Sequence, residues 1–217
     1  LFVYDMKANN AENIQSGVVS APTWNNNGST IYYAKKAKYP NKQGSKYFDL
    51  YEYDLNTEQE TRLTKDSRAF SPCFISKDST LIYLATHDGG QNIYRIDLKS
   101  RKTQRLTNFE DRRMLSSLAY DEEKNRILFD VTRNHFRDIA YLSLGDSTLG
   151  LVFSNGEWDE RDINISAGQL IYSDDRSGVF NLYVIDEKTM TGGYITNVMG
   201  GAFMPAINIT GQVVYSL

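Results

Sequence analysis

The segment Ser71–Thr107, SPCFISKDSTLIYLATHDGGQNIYRIDLKSRKTQRLT, decides the fold. It divides into four short runs: Ser71–Ile75, Leu81–Thr86, Asn92–Leu98 and Thr103–Thr107. Turns are expected at Ser76-Lys77-Asp78-Ser79, at His87-Asp88-Gly89-Gly90 and at Lys99–Arg101. Strand-length runs rich in Ile, Tyr, Leu, Phe and Thr, broken by Asp, Gly, Ser and Lys, mark an antiparallel meander. The unit recurs. Arg62-Leu63-Thr64 and Arg105-Leu106-Thr107 lie 43 residues apart, as do Tyr53-Asp54-Leu55 and Ile96-Asp97-Leu98. Ile185-Asp186 follows Ile96-Asp97 by 89 residues, two periods. A repeated four-stranded unit of this length predicts a β-propeller in which each unit is one blade.

Outward from that segment, the phase divides residues 1–217 into a single all-β propeller domain. Whole repeats fall at about 18–64, 65–107, 108–153 and 154–197, with half blades at 1–17 and 198–217. Leu1–Met6 matches a third strand, and Met204–Ile207 with Gln212–Ser216 matches strands one and two. The two halves are complementary. They predict either a five-bladed ring, with Leu1–Met6 paired to Gln212–Ser216, or a segment of a propeller with six or more blades. The third repeat is the most degenerate, with Ser143 where the others carry Asp. Met114, Leu115, Leu118 and Leu128 also fit a helical stripe, but the repeat phase places strands there.

Repeated positions have structural readings. Pro22, Pro72 and Pro205 are expected at the starts of inner strands, where a missing N–H is tolerated. Trp24, Phe74, Tyr120, Ile165 and Ile207 should fill the space between blades, with Tyr32, Tyr83, Phe129, Tyr172 and Tyr215 as their second-strand counterparts. Asp5, Asp54, Asp97 and Asp186 end third strands, where a carboxylate can accept backbone N–H groups two residues on.

Bulk composition narrows the function. A chain of 217 residues buries roughly 70% of its unfolded surface, enough for a core. The net charge of −3 argues against a nucleic-acid partner, because phosphate binding needs clustered positive charge. No apolar run approaches ~18 residues, so no membrane-spanning segment is expected. The single cysteine, Cys73, excludes an internal disulfide and a cysteine-based zinc site. Catalytic signatures are sparse: Gly145–Gly150 is one residue too long for G-x-S-x-G. His87 and His135 read as hairpin residues rather than metal ligands, and Asp174–Gly178 as a polar hairpin rather than a calcium loop. No catalytic residue, metal or cofactor is expected. A hydrolase or lyase within the channel would need clustered histidines or carboxylates.

Pro22-Thr23-Trp24, the Asn27-Gly28 turn, Ile31-Tyr32-Tyr33-Ala34, Leu50-Tyr51-Glu52-Tyr53-Asp54-Leu55 and Arg62-Leu63-Thr64 together resemble the blade of TolB-type propellers. This WD40-like repeat also occurs in propeller domains of tricorn and prolyl oligopeptidase-like peptidases. The resemblance covers nearly the whole chain. It implies a periplasmic or extracellular bacterial setting and a propeller that usually has six blades.

In a propeller, the loops leading into inner strands share one channel end with the hairpins between strands two and three. That topology groups Arg68, Phe70, His87, Arg112, Arg113, His135, Trp158, Arg161, Arg176 and Phe203, together with the lysine-rich hairpin Lys35–Lys46. Arginines beside exposed aromatics are what protein-binding surfaces enrich. The expected function is a non-catalytic, monomeric binding scaffold for a protein, peptide or cell-envelope partner. The rival expectation is the propeller of a serine peptidase that gates access to a catalytic domain elsewhere.

Overall fold

The structure is a computed structural model that describes residues 1–75, 77, 79–133, 135–153 and 157–217. The turn expected at Ser76–Ser79 and the boundary expected between residues 153 and 154 therefore lie partly outside the described residues.

Among the described residues every regular element is a strand. A two-stranded sheet opens the chain with β1 (Phe2–Asp5) and β2 (Asn10–Asn13). The first blade has β3 (Thr23–Trp24), β4 (Thr30–Lys36), β5 (Phe48–Asp54) and β6 (Gln59–Arg62). The second has β7 (Ala69–Ile75), β8 (Thr80–His87), β9 (Gly90–Asp97) and β10 (Thr103–Arg105). The third has β11 (Leu115–Asp121), β12 (Arg126–Arg133), β13 (Phe136–Ser143) and β14 (Leu149–Leu151). The fourth has β15 (Glu160–Ser166), β16 (Gln169–Asp174), β17 (Asn181–Asp186) and β18 (Thr191–Tyr194). A second two-stranded sheet, β19 (Phe203–Ile207) and β20 (Val213–Ser216), closes it. The helical alternative for Met114–Leu128 is thereby excluded.

Two compact units emerge. The first holds Leu1–Asp88 and Ile93–Arg105, the second Gly89–Asn92 and Leu106–Leu217. Within each, the core consists of layers trapped between consecutive sheets, and alternate residues of one second strand feed opposite layers. In the first unit, Ile31 and Tyr33 pack with Leu1 and Val3, while Tyr32 and Ala34 pack with Leu81 and Tyr83. In the second, Leu170 and Tyr172 join Leu128 and Ile139, while Ile171 and Leu182 face Ile207 and Val213. Each such fully buried side chain contributes about 1.5–3 kcal/mol through removal from water.

The same layers explain how the terminal half blades are held. Val3 and Val213 are partly buried against the face of the neighbouring blade. In the first unit β1 pairs with β2, and in the second β20 pairs with β19. Face-to-face stacking, not edge hydrogen bonding, anchors both half blades.

Strand registers correct one repeated position. Thr30, Arg126 and Gln169 pair with the last residues of their third strands, Asp54, Ser143 and Asp186. Three residues further on stand Tyr33, Phe129 and Tyr172. Tyr33, not Tyr32, is thus the counterpart of Phe129 and Tyr172. On the inner strands Trp24, Phe74, Tyr120, Ile165 and Ile207 all pair at one level. Trp24 nevertheless remains 43% exposed and Tyr215 42%, because each lies on a sheet next to, or within, a half blade. Phe74 does fill an inter-blade space, stacked on Tyr32 at 5.4 Å.

Inner strands also carry a recurrent bulge. Register shifts fall between Phe70 and Cys73, Ser116 and Leu118, Arg161 and Asn164, and Phe203 and Ala206. At these shifts Ser71, Ser117, Asp162 and Met204 all have positive φ. An extra unpaired residue of this kind bends the strand and raises its twist. Pro72 and Pro205 sit inside these bulges rather than at strand starts, and the unpaired position tolerates their missing N–H.

Two sets of side-chain acceptors organise the loops. Asp5, Asp54, Asp97 and Asp186 each accept backbone N–H groups two and three residues on, as the sequence indicated. In the degenerate third repeat Asp146 substitutes, accepting from Thr148 N at 3.0 Å. Its hydrogen bond with Ser143, followed by that backbone bond, holds its pKa down to about 2. The second set lies at the opposite ends of third strands. Asn92 Oδ1 accepts from Thr107 Oγ1 at 2.9 Å and from Phe109 N at 2.7 Å. Asn181 Oδ1 accepts from Thr196 Oγ1 and Val198 N, both at 3.0 Å. Asp49 accepts from Thr64 Oγ1, Arg62, Ser67 and the N–H of Asp66. Each staple ties the end of an outer strand, and the loop after it, to the core of its blade.

Candidate loop-face binding site

The fourth blade supplies the most developed surface. Its loop before β15, the hairpin between β16 and β17, and the start of β19 converge within the second unit. Arg161 lies over the Phe180 ring at 4.1 Å from its centroid, and Phe180 packs on Phe203 at 5.2 Å. Arg161 also pairs with Asp159 at 2.6 Å. Arg176 lies over Trp158 at 5.2 Å and over Tyr183 at 4.7 Å. Its Nε reaches both oxygens of the fully buried Asp174, at 2.9 and 2.8 Å. Trp158 Nε1 donates to Glu160 Oε1 at 3.1 Å.

Asp174 is the electrostatic centre of this group. Tyr194 donates its hydroxyl to Asp174 Oδ1 at 2.7 Å. Burial, reinforced by that hydrogen bond, pushes the Tyr194 pKa up to about 12. Burial works against the charge on Arg176, but the hydrogen-bonded Asp174 outweighs it and holds the guanidinium above its ordinary pKa. At neutral pH the cluster is a fixed ion pair framed by aromatic rings. The Asp174–Gly178 hairpin is closed by Gly178 N donating to Asp175 O at 2.8 Å, so its first carboxylate is committed to Arg176.

The remaining expected residues fall elsewhere. Arg113 pairs with Asp111 and covers Phe109 at 4.2 Å. Arg112 and His135 are exposed, His135 with φ of 85°. In the first unit, Arg68 covers Tyr47 at 4.4 Å and donates to its hydroxyl at 3.1 Å. That bond is the main reason the Tyr47 pKa is lowered. Phe70 is half-buried against the first unit's core, and His87 meets the Tyr94 ring edge-on at 5.5 Å. The structure thus brings together Trp158, Arg161, Arg176 and Phe203, and adds Phe180, Tyr183 and Tyr194, which sequence reasoning did not single out.

The arginines differ from expectation in one respect. Arg113, Arg161 and Arg176 are neutralised by carboxylates two positions earlier, Asp111, Asp159 and Asp174. Residues i and i+2 of an extended chain share a face, which explains the spacing. The motif Asp-x-Arg was readable in the sequence. Among the described residues no group of three or more His, Cys, Asp or Glu side chains is arranged to hold a metal ion. No described helix is long and apolar enough to cross a membrane.

Comparison with known proteins agrees with this architecture. No family model matches the chain, and a search of curated proteins finds no match. Solved structures do match. TolB from Acinetobacter baumannii superposes with a TM-score of 0.78 at 20% identity, over 98% of this chain and 52% of that one. A putative TolB from Agrobacterium tumefaciens gives 0.74 at 15% identity, over 96% of this chain and 80% of that one. The β-propeller domain of the trilobed protease from Pyrococcus furiosus, described as having an open velcro topology, gives 0.66 at 13% identity. That match covers 99% of this chain and 66% of the protease propeller. The fold is that of a TolB-type β-propeller. The chain spans about half the length of the Acinetobacter protein.

Proposed function

We propose that this chain is a non-catalytic binding scaffold, set in the periplasm or outside the bacterial cell, that engages a protein or cell-envelope partner through its loop face. The observation that carries the reading is the cluster of Trp158, Arg161, Arg176, Phe180 and Phe203. Its rings are part-exposed, and its guanidiniums are held in place by buried or half-buried carboxylates. Such a surface is preorganised: its side chains have already lost the rotamer freedom that binding would otherwise remove, and Trp and Arg dominate interface hot spots. The TolB likeness supports this reading.

The likeness to the trilobed protease propeller favours a second reading, in which the same face gates access to a peptidase domain. One experiment separates them. A photo-crosslinking amino acid replaces Trp158 or Phe203 in cells that express the natural gene. The scaffold predicts discrete adducts with a second protein from these positions and none from Gln104 on the outer strand. Adducts with a hydrolase segment of the same polypeptide establish the gating reading. No adduct from either position refutes both.

A further inference from the structure

We propose that the hairpin Lys36–Phe48 is a docking surface for an acidic polypeptide segment. The stretch from Lys35 to Phe48, KKAKYPNKQGSKYF, carries five lysines and no Asp or Glu in a protein whose net charge is −3. Lys35 is internally neutralised by Glu60. Lys36, Lys38, Lys42 and Lys46 are exposed and form no ion pair among the described residues. Arg68, stacked on Tyr47 at the base of the hairpin, adds a further exposed cation. Arg113, Arg161 and Arg176 are paired with an aspartate two positions earlier; these four lysines have no such partner among the described residues.

The hairpin backbone is closed by its own hydrogen bonds, so the lysines project from a defined turn. Ala37 N donates to Tyr47 O at 2.9 Å, and Asn41 N to Ser45 O at 2.7 Å. Asn41 Oδ1 accepts from Gln43 N at 3.0 Å and Ser45 N at 2.9 Å. Gly44 turns the chain with φ of 78°, a conformation that glycine adopts without strain. Ala37 is buried beneath, and Tyr39 stands out at 72% exposure beside the Lys38 ammonium. The nearest carboxylate in sequence, Asp49, is fully buried and committed to Arg62, Thr64 and Ser67.

The chemistry selects a short acidic peptide over other anions. Lysine ammoniums are point charges suited to dispersed carboxylates, whereas phosphate clamps favour the bidentate arginine fork. A long nucleic acid would run beyond the hairpin onto a chain of net negative charge. A bilayer needs an apolar face to insert, and Tyr39 with Phe48 at the base of the hairpin is too small for that, while an exposed tyrosine is a usual protein-contact anchor.

The test uses the 217-residue chain and a fluorescent peptide of alternating glutamate and glycine, read by anisotropy. Binding is expected at low salt and should weaken as the Debye length shrinks to about 8 Å at physiological ionic strength. The variant K36Q/K38Q/K42Q/K46Q should lose at least about tenfold in affinity, as expected for removal of a complementary field. Lys35→Gln should retain binding, and Lys42→Glu should weaken it with the urea midpoint unchanged. The proposal is overturned by absence of binding, by binding that the quadruple variant keeps, or by tighter capture of an oligonucleotide or phosphatidylglycerol vesicles. None of these results bears on crosslinking at Trp158 or Phe203, so the two readings fail separately.

Discussion

Replacing Asp49 by alanine removes the acceptor at the centre of the first blade's staple. Five hydrogen-bonded contacts depend on it: Arg62 Nη2, Thr64 Oγ1 at 2.9 Å, Ser67 Oγ at 2.8 Å, and the N–H groups of Asp66 and Ser67, both at 3.1 Å. Not all of these losses count equally. Arg62 is 34% exposed, so water can solvate it once freed, and its share is held to ~1 kcal/mol. The Thr64 hydroxyl is buried, and an unsatisfied buried donor costs ~1–3 kcal/mol. Together Asp49→Ala should lower stability by about 3 kcal/mol. Asp49→Asn is the informative control, because Asn92 and Asn181 hold the equivalent threonines with an amide oxygen. It should cost only ~1 kcal/mol, the discounted worth of the Arg62 pair. Urea unfolding measures both through the midpoint and the slope. A loss below ~1 kcal/mol for the alanine variant, or equal losses for both variants, would refute the staple.

Three further outcomes follow from the same coordinates. Asp130 is fully buried, and desolvation raises its pKa to about 7 against the N–H groups of Asp162 and Ile163; Asp162 adds to the rise and Arg137 opposes it. A carboxyl whose folded pKa exceeds its unfolded value favours the fold when protonated, so its contribution is complete below about pH 4 and lost as pH rises through about 7. Asp130→Asn should flatten that decline, gaining at most ~4 kcal/mol on wild type between pH 4 and 8 in urea titrations; parallel pH profiles sink the assignment. Trp24→Ala should cost only ~1 kcal/mol because nearly half the ring is already wet, whereas Tyr33→Ala should cost ~3–5 kcal/mol; reversal of that order would contradict the register. Arg176→Met removes a cation that lowers the Tyr194 pKa and should push it further up, while Tyr194→Phe should take one tyrosine out of the set, shared with Tyr32 and Tyr83, that titrates near pH 12; an unchanged high-pH absorbance amplitude in Tyr194→Phe would contradict the assignment.

The blades were legible because their punctuation is local. Asp54, Asp97 and Asp186 fix turns through hydrogen bonds spanning three residues, and such contacts survive in the order of letters. Facing was less legible. Both faces of a central strand such as Ile31–Ala34 are buried, so no alternation of polar and apolar residues tells Tyr32 from Tyr33. The repeat position of Trp24 points between blades, yet burial depends on whether a neighbouring sheet reaches that level. The bulges left little signal, because Ser71, Ser117 and Met204 are not residues that advertise positive φ, and Asp162, of a type that tolerates it, stands alone among them. At the loop face, Trp158, Arg161, Arg176 and Phe203 were found through topology, while Phe180 and Tyr194 come from hairpin and outer-strand positions that a search for charged loops passes over.

The staples of Asp49, Asn92 and Asn181 also govern how freely this chain can change over generations. Each fixes the last residue of one blade, Thr64, Thr107 or Thr196, while the bulges at Ser71, Ser117 and Met204 fix the beginning of the next sheet. The intervening segments, 65–70, 108–116 and 197–203, differ in length without disturbing either anchor. Within them Ala69, Leu115 and Ala202 belong to the core, whereas the exposed positions 110–112 and 199–200 lie clear of the packed layers, so mutation can explore new recognition chemistry there at little risk to the architecture. Grafting a foreign peptide between Glu110 and Arg112 should therefore yield a folded display scaffold, and the natural divergence of such chains should concentrate at those exposed positions.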